Sequence, residues 1–244
     1  MRKISALFVA SFCFLPALAA AGPGDHIASV TVLPKDAPKV VAALDTYMAS
    51  SAGKQFKGRL ILLEHVADGS DPASHSIVSI FHSAAEQETY NKAVANDPAR
   101  KAYLDAVVAV AQLQMTGRTS LLRSWGDVVD TDRVWVQIAL NVSDYAAWTS
   151  ALDAWLATPK GKAFPGQGHL SMVSFGGANA PTHVVALGYD SIAEMEAYQD
   201  GLQSDADYAT FQTASRKAGV RLGMTLSQEV KSWGPASMKS LTRE

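Results

Sequence analysis

Arg123-Ser124-Trp125-Gly126 and Lys231-Ser232-Trp233-Gly234 are one phrase written twice, 108 residues apart. The correspondence runs without a gap from residues 27–126 to residues 135–234, and 22 of these 100 pairs are identical. A period of this length means one supersecondary unit made twice, and such a unit buries its uncovered face against its twin. Each copy reads strand, helix, strand, strand, helix, strand. In the first copy residues 27–34 are rich in β-formers, and residues 36–52 carry Val40, Val41, Leu44, Tyr47 and Met48 at helical spacing. Residues 58–67 and 74–82 read as strands around the turn-rich Asp68-Gly69-Ser70-Asp71-Pro72. Residues 83–111 read as a helix broken near Asn96-Asp97-Pro98, and residues 116–125 as the last strand. The second copy repeats the pattern over 133–142, 144–158, 166–175, 182–190, 191–218 and 220–233.

Local chemistry accounts for most of the shared positions. Ser83 with Glu86, and Ser191 with Glu194, have capping-box spacing, in which the hydroxyl accepts a free backbone N–H and the carboxylate reaches back. Asp36 and Asp144 suit the start of the first helix of each copy. Asp97 and Asp205 suit its second helix, restarted after the break. Gly53 and Gly161 follow the first helices and are expected as left-handed C-terminal caps. Leu44, Leu152, Phe56 and Phe164 fit a core.

Four shared pairs are left: Lys54/Lys162, His75/His183, Tyr90/Tyr198 and Trp125/Trp233. The lysines follow helix ends, where a cation is favoured. Trp125, Trp233, His75, His183, Tyr90 and Tyr198 are the candidates for a ligand pocket, with the tryptophans as its aromatic wall. The histidines are His26, His65, His75, His82, His169 and His183; none falls in a predicted helix. If the hairpin is symmetric about Ser70, His65 and His75 face each other with Cβ atoms about 5 Å apart. Two imidazoles beside Asp68 and Asp71 would then suit a divalent metal. The second copy has Val173 opposite His183, so that site would be single.

Arg2, Lys3 and the apolar run to Leu18, followed by small-x-small sites at Ala17–Ala19 and Ala19–Ala21, read as a signal peptide over residues 1–21. The expected location is therefore periplasmic or secreted, with no membrane association after signal removal. Cys13 is the only cysteine, so the remaining chain has no disulfide and no thiolate ligand. Without Arg2 and Lys3 there are 19 basic against 23 acidic residues, a formal charge of −4, with no basic run that would suit nucleic acid. Phosphate-binding glycine loops, nucleophile elbows and zinc-protease helices are absent from the sequence.

Glu194-Met195-Glu196-Ala197-Tyr198, Ser204-Asp205 and Tyr208-Ala209-Thr210-Phe211 resemble the second helical segment of antibiotic-biosynthesis-monooxygenase and NIPSNAP-type domains. Those belong to the dimeric α+β barrel superfamily. The resemblance implies an α+β fold in which two ferredoxin-like βαββαβ repeats, residues 22–130 and 131–244, fuse as an intrachain pseudo-dimeric barrel. It implies a pocket between sheet and helices, and a cofactor-independent oxygenase acting on an aromatic or polyketide-like compound. Haem enzymes of similar fold take their histidine from a helix, so no haem and no other cofactor is expected. The other reading is a binding module for a small, mostly apolar ligand, since no set of residues names a reaction.

Overall fold

The computed structural model describes residues 26–69, 73–177 and 180–241; the expected signal peptide lies outside them. The first copy forms β1 (His26–Pro34), α1 (Ala37–Ala49), β2 (Arg59–Ala67), β3 (His75–Phe81), α2 (Ala84–Ala93), α3 (Pro98–Val110) and β4 (Ala111–Gly126). The second forms β5 (Val134–Val142), α4 (Tyr145–Leu156), α5 (Pro159–Lys162), β6 (Gln167–Phe175) and β7 (His183–Tyr189). It ends with α6 (Ile192–Gln203), α7 (Ala206–Ala218) and β8 (Gly219–Trp233), followed by the short α8 (Met238–Leu241).

The caps act as their residue types require. Ser83 Oγ accepts from Glu86 N and Ser191 Oγ from Glu194 N, both at 3.1 Å. Asp36, Asp97, Asp144 and Asp205 each accept a first-turn N–H. Gly53 and Gly161 differ from expectation, because among the described residues only Gly69, Gly126 and Gly234 have positive φ. Gly53 and Gly161 are needed for close approach: a Cβ on either would sit 2.2 Å from the carbonyl oxygen of Tyr47 or Trp155. β4 also starts earlier than expected, at Ala111, where Gln112-Leu113-Gln114-Met115 alternates polar and apolar as a strand does.

The eight strands close into one antiparallel barrel in the order β1-β3-β2-β8-β5-β7-β6-β4. Each repeat contributes a contiguous four-strand run, and its last strand also pairs with the other repeat: β4 with β6, and β8 with β2. Closure removes the exposed sheet edges that each repeat alone would carry. Alternation along each strand then sends one face outward to the helices and one inward. Leu60 and Leu62 of β2 pack outward on Val40 and Leu44. Ile61 and Leu63 point inward to meet Ile80 and Trp135. In the second repeat Val136, Leu170 and Val185 meet Trp148, Leu152 and Trp155.

A matched pair of clasps joins each last strand to the first helix of the other repeat. Lys231 Nζ lies 2.6 Å from Asp45, and Trp233 Nε1 donates to the same carboxylate at 2.7 Å. On the opposite side Arg123 pairs with Asp153 at 2.5 Å, but Trp125 Nε1 finds no partner. Asp45→Ala is therefore expected to cost about 1 kcal/mol more than Asp153→Ala in urea unfolding, because it alone strands an indole N–H. Equal losses for the two variants would show that the indole bond contributes nothing.

One end of the barrel is closed by α8 and the segment joining the repeats. Met238 and Leu241 pack against the inward residues, and Asp130 Oδ1 accepts from Arg59 at 2.6 Å and from Met238 N at 2.7 Å. The hairpin tips and the first residues of β4 and β8 lie at the other end.

Candidate functional site

The seams between sheet and helices are where the expected pocket residues belong, and aromatic packing fills them. Tyr90 and Trp233 share one cluster with Phe56 and Phe81. Tyr198 and Trp125 share the other with Phe164 and Tyr189. Phe56 meets Phe81 and Tyr90 edge-on at ring separations of 5.1 and 5.4 Å, and Phe164 meets Tyr189 and Tyr198 likewise at 5.5 and 5.4 Å. Trp125 lies flat over Gly168, where a Cβ would fall 2.0 Å from the indole. The Tyr90 and Tyr47 hydroxyls bond each other at 2.5 Å, and Tyr198 donates to Lys160 O. Burial raises the Tyr90 phenol, and pushes those of Tyr103 and Tyr198 up to about 12, so none supplies a phenolate at neutral pH.

His75 and His183 do not join these clusters. They open β3 and β7, roughly 20 Å along the strand from the aromatic end. Their Nδ1 atoms meet Ser74 Oγ at 2.9 Å and Thr182 Oγ1 at 3.0 Å, and His183 stacks on Tyr145. Burial lowers both imidazole pKa values. Of the six expected pocket residues, the structure thus brings together two Tyr/Trp pairs and leaves both histidines apart.

The facing pair His65/His75 is corrected. Glu64 is opposite His75, and Leu63 is opposite Ser76. The hairpin is centred half a residue before Ser70, with Gly69 at φ 74° in its turn. A one-residue slip sends the two side chains to opposite faces of the sheet. His65 points into the barrel, where Ala73 O lies 3.0 Å from Nδ1 and Ser76 Oγ lies 2.7 Å from Nε2. His75 faces the helices. Among the described residues no cluster of three or more His, Cys, Asp or Glu could hold a metal ion, and His65 and His75 do not share a face on which to bind one.

The most polar constellation is inside the barrel and was not foreseen. Gln167, His169 and Ser171 occupy alternate, inward positions of β6 and are all buried. Gln167 Nε2 donates to Val129 O at 2.8 Å and to Asp132 Oδ2 at 2.9 Å. Its Oε1 must therefore accept, and it takes His169 Nε2–H at 2.9 Å. That assignment leaves His169 Nδ1 to accept from Ser124 Oγ, also at 2.9 Å. Trp135 covers the imidazole at a ring separation of 6.0 Å. Burial holds the His169 pKa down at about 4 and raises that of Asp132. The order serine, histidine, amide, carboxylate has the polarity of a nucleophile relay. A neutral amide beside the ring cannot stabilise an imidazolium as a carboxylate does, and a base with pKa near 4 is a poor proton acceptor at neutral pH. The chemistry of this set is orientation, not proton transfer. Nearby, Trp135 Nε1, Ser227 Oγ and Arg59 Nε are buried without partners.

These residues do not fit haem. The described histidines stand on strands or in the β3–α2 connection, both ring nitrogens of His169 are engaged, and the seams are packed.

Two open grooves lie elsewhere. One, of about 710 Å³, runs between α4 and α7 over Asp144, Ala147, Thr210, Thr213 and Lys217. The other, of about 570 Å³, lies at the hairpin end of the barrel, between Met115–Arg118 of β4 and Phe175, Gly176 and Gly177.

No known family profile matches the chain, and no curated protein resembles it in sequence. Solved structures do resemble it in shape. A protein from Lactobacillus acidophilus NCFM with a provisional monooxygenase name superposes with a TM-score of 0.59 at 11% identity, covering 88% of this chain and 97% of that one. A similarly named protein from Fusobacterium nucleatum gives 0.57 at 11% identity, covering 88% and 95%. An anthrone oxidase-like protein gives 0.56 at 12% identity, covering 87% and 94%. At such identities the likeness is one of fold: the chain shares the α+β barrel architecture of these proteins.

Proposed function

We propose that the protein is an exported binding module, built on an oxygenase-type fold, that holds a small, mostly apolar ligand. The observation that carries this is the filling of both sheet–helix seams by aromatic side chains, with the Tyr90 and Tyr198 hydroxyls bonded to Tyr47 and to Lys160 O rather than turned to a ligand. A catalyst of the expected kind would need such convergence. Export rests on the charged, apolar start of the chain.

The groove at the hairpin end suits the ligand. Phe175 and Met115 expose 68% and 51% of their surface, and Gly117, Gly176 and Gly177 leave a shelf beside them. The test is titration with the apolar dye anilinonaphthalene sulfonate. Saturable binding of one dye per chain is expected, weakened about tenfold by Phe175→Ser, the loss from uncovering much of a phenyl ring. Absence of saturation, or unchanged affinity in the variant, would count against the groove.

The second reading, an oxygenase, is supported by the names of the structural neighbours. Oxygen uptake with an anthrone, in protein carrying no added cofactor, would favour it over the binding reading.

A further inference from the structure

The interior enclosed by the eight strands is filled differently along its length. Toward α8 the inward side chains are large and apolar, and Ile61, Ile80 and Trp135 pack with Met238 and Leu241. Further along, the inward positions carry Ser29 of β1, Thr119 of β4, Gln137 of β5, and Thr225 and Ser227 of β8. The ladders fix their direction. Gln137 lies two residues beyond Trp135, and Thr225 and Ser227 stand opposite Gln137 and Trp135. Ser29 stands opposite Val78 and Thr119 opposite Ile27, and both of those pack on the apolar end. An eight-stranded barrel is just wide enough for its own side chains to fill it, or to hold one small ligand. These side chains do not fill it: Ser29, Thr119, Gln137 and Thr225 point inward and yet are only partly buried.

Two polar atoms beside this space have no partner. Ser227 is wholly buried and Trp135 is 6% exposed. Neither Ser227 Oγ nor Trp135 Nε1 meets a donor or acceptor among the described residues. The two residues are opposite each other in the β5–β8 ladder, which places their Cβ atoms about 5 Å apart on one face. A buried polar atom left unpaired is destabilising, and protein interiors generally satisfy it. The neighbouring imidazoles are already engaged. His65, opposite Ser227 on β2, meets Ala73 O and Ser76 Oγ, and His169, stacked on Trp135, meets Ser124 and Gln167. An indole N–H only donates, whereas a serine hydroxyl both donates and accepts. The group that satisfies both is one that accepts and can also donate, which is a hydroxyl. The charges turned to this interior are paired, Arg59 with Asp130 and Glu229 with Arg133, so no free cation favours an anion.

We infer that the barrel interior binds one small, uncharged, hydroxyl-bearing molecule of the polyol or monosaccharide class, held by Trp135 Nε1 and Ser227 Oγ. A ligand hydroxyl accepts from the indole and exchanges a hydrogen bond with Ser227. Ser29, Thr119, Gln137 and Thr225 supply further donors and acceptors, and Val78 and Ala186 meet its carbon skeleton. This site is inside the barrel and separate from the groove at Phe175, so it goes beyond the function proposed above.

The test is titration of the nitrogen-15-labelled protein with glycerol, xylose and glucose in turn, read at the indole N–H resonance of Trp135, which Trp135→Phe assigns. A saturable shift with at least one of the three is expected. Ser227→Ala should weaken it about tenfold, the loss of one hydrogen bond. The same variant without ligand should melt no lower than the wild type, because its hydroxyl bonds nothing in the chain. Glucuronate, the charged counterpart of glucose, should leave the resonance in place. Phe175→Ser should leave the shifts as they are, so this site and the groove fail or stand separately. A Trp135 resonance that none of the neutral compounds moves would mean that water alone serves the two atoms, and would overturn the inference. Equal affinity in Ser227→Ala, or equal binding of glucuronate, would overturn it as well.

Discussion

Residues 22–130 produced alone are expected to give no stable monomer. Separation of the repeats breaks two ladders, β4 with β6 and β2 with β8, and bares the inward face of the four-strand sheet. Ile61, Leu63 and Ile80 are buried on that face against Trp135, Met238 and Leu241, all from the second half of the chain. Exposing three such side chains costs roughly 5–9 kcal/mol at about 1.5–3 kcal/mol each. A domain of this size has about 5–15 kcal/mol in total. The fragment should aggregate, unfold, or form a dimer that rebuilds a barrel from two copies. Sedimentation and circular dichroism distinguish these. A soluble monomer with cooperative unfolding would mean that the inter-repeat seams add little to stability.

The second large effect is on acid stability. His169 has its pKa lowered to about 4 in the folded state by burial, while an unfolded histidine titrates near 6.5. Below pH 6.5 the unfolded chain takes up the proton first, so stability falls from there until the folded imidazole also protonates near pH 4. The difference amounts to about 3 kcal/mol across that window. His75 and His183, lowered by partial burial, act in the same direction. Asp132 acts in the opposite one, because its raised pKa lets the folded state bind a proton before the unfolded state does. Urea unfolding at intervals between pH 7 and pH 4 measures the sum. His169→Phe should flatten most of the slope while leaving Gln167 Oε1 without its donor, so the variant is less stable at neutral pH yet less sensitive to acid. A wild type whose stability is level across the window would show that His169 protonates without disturbing the relay.

What could be read from the sequence was what neighbours along the chain decide. The four aspartate caps and the Ser–Glu pairs depend on residues a few positions apart, and with the helical and strand periodicities they gave the element order of both halves. The register of the β2–β3 hairpin depends on where Gly69 takes its left-handed turn, and half a residue of error there separated His65 from His75. The relay at His169 escaped notice for a different reason. Its partners come from β4, from β6 itself and from the segment between the repeats, and only barrel closure brings them together. Its one local trace was the alternation of Gln167, His169 and Ser171 on a strand whose other face is apolar. The α8 plug, four residues long, has too little periodicity to read.

Ser124 and Ser232 occupy the same place in the two repeats, yet one bonds His169 and the other accepts from Arg59. Ile61 stands where the second repeat has His169, and Arg59 where it has Gln167. In a barrel made of two identical subunits every change is made twice. A histidine at this position would then bring a second one into the same interior, and both would have to shed their water there. Within one chain the two halves of the barrel need not match, so one carries the polar row while the other supplies aliphatic bulk against it. The segment between the halves serves both of these positions, with Asp132 accepting from Gln167 and Asp130 from Arg59.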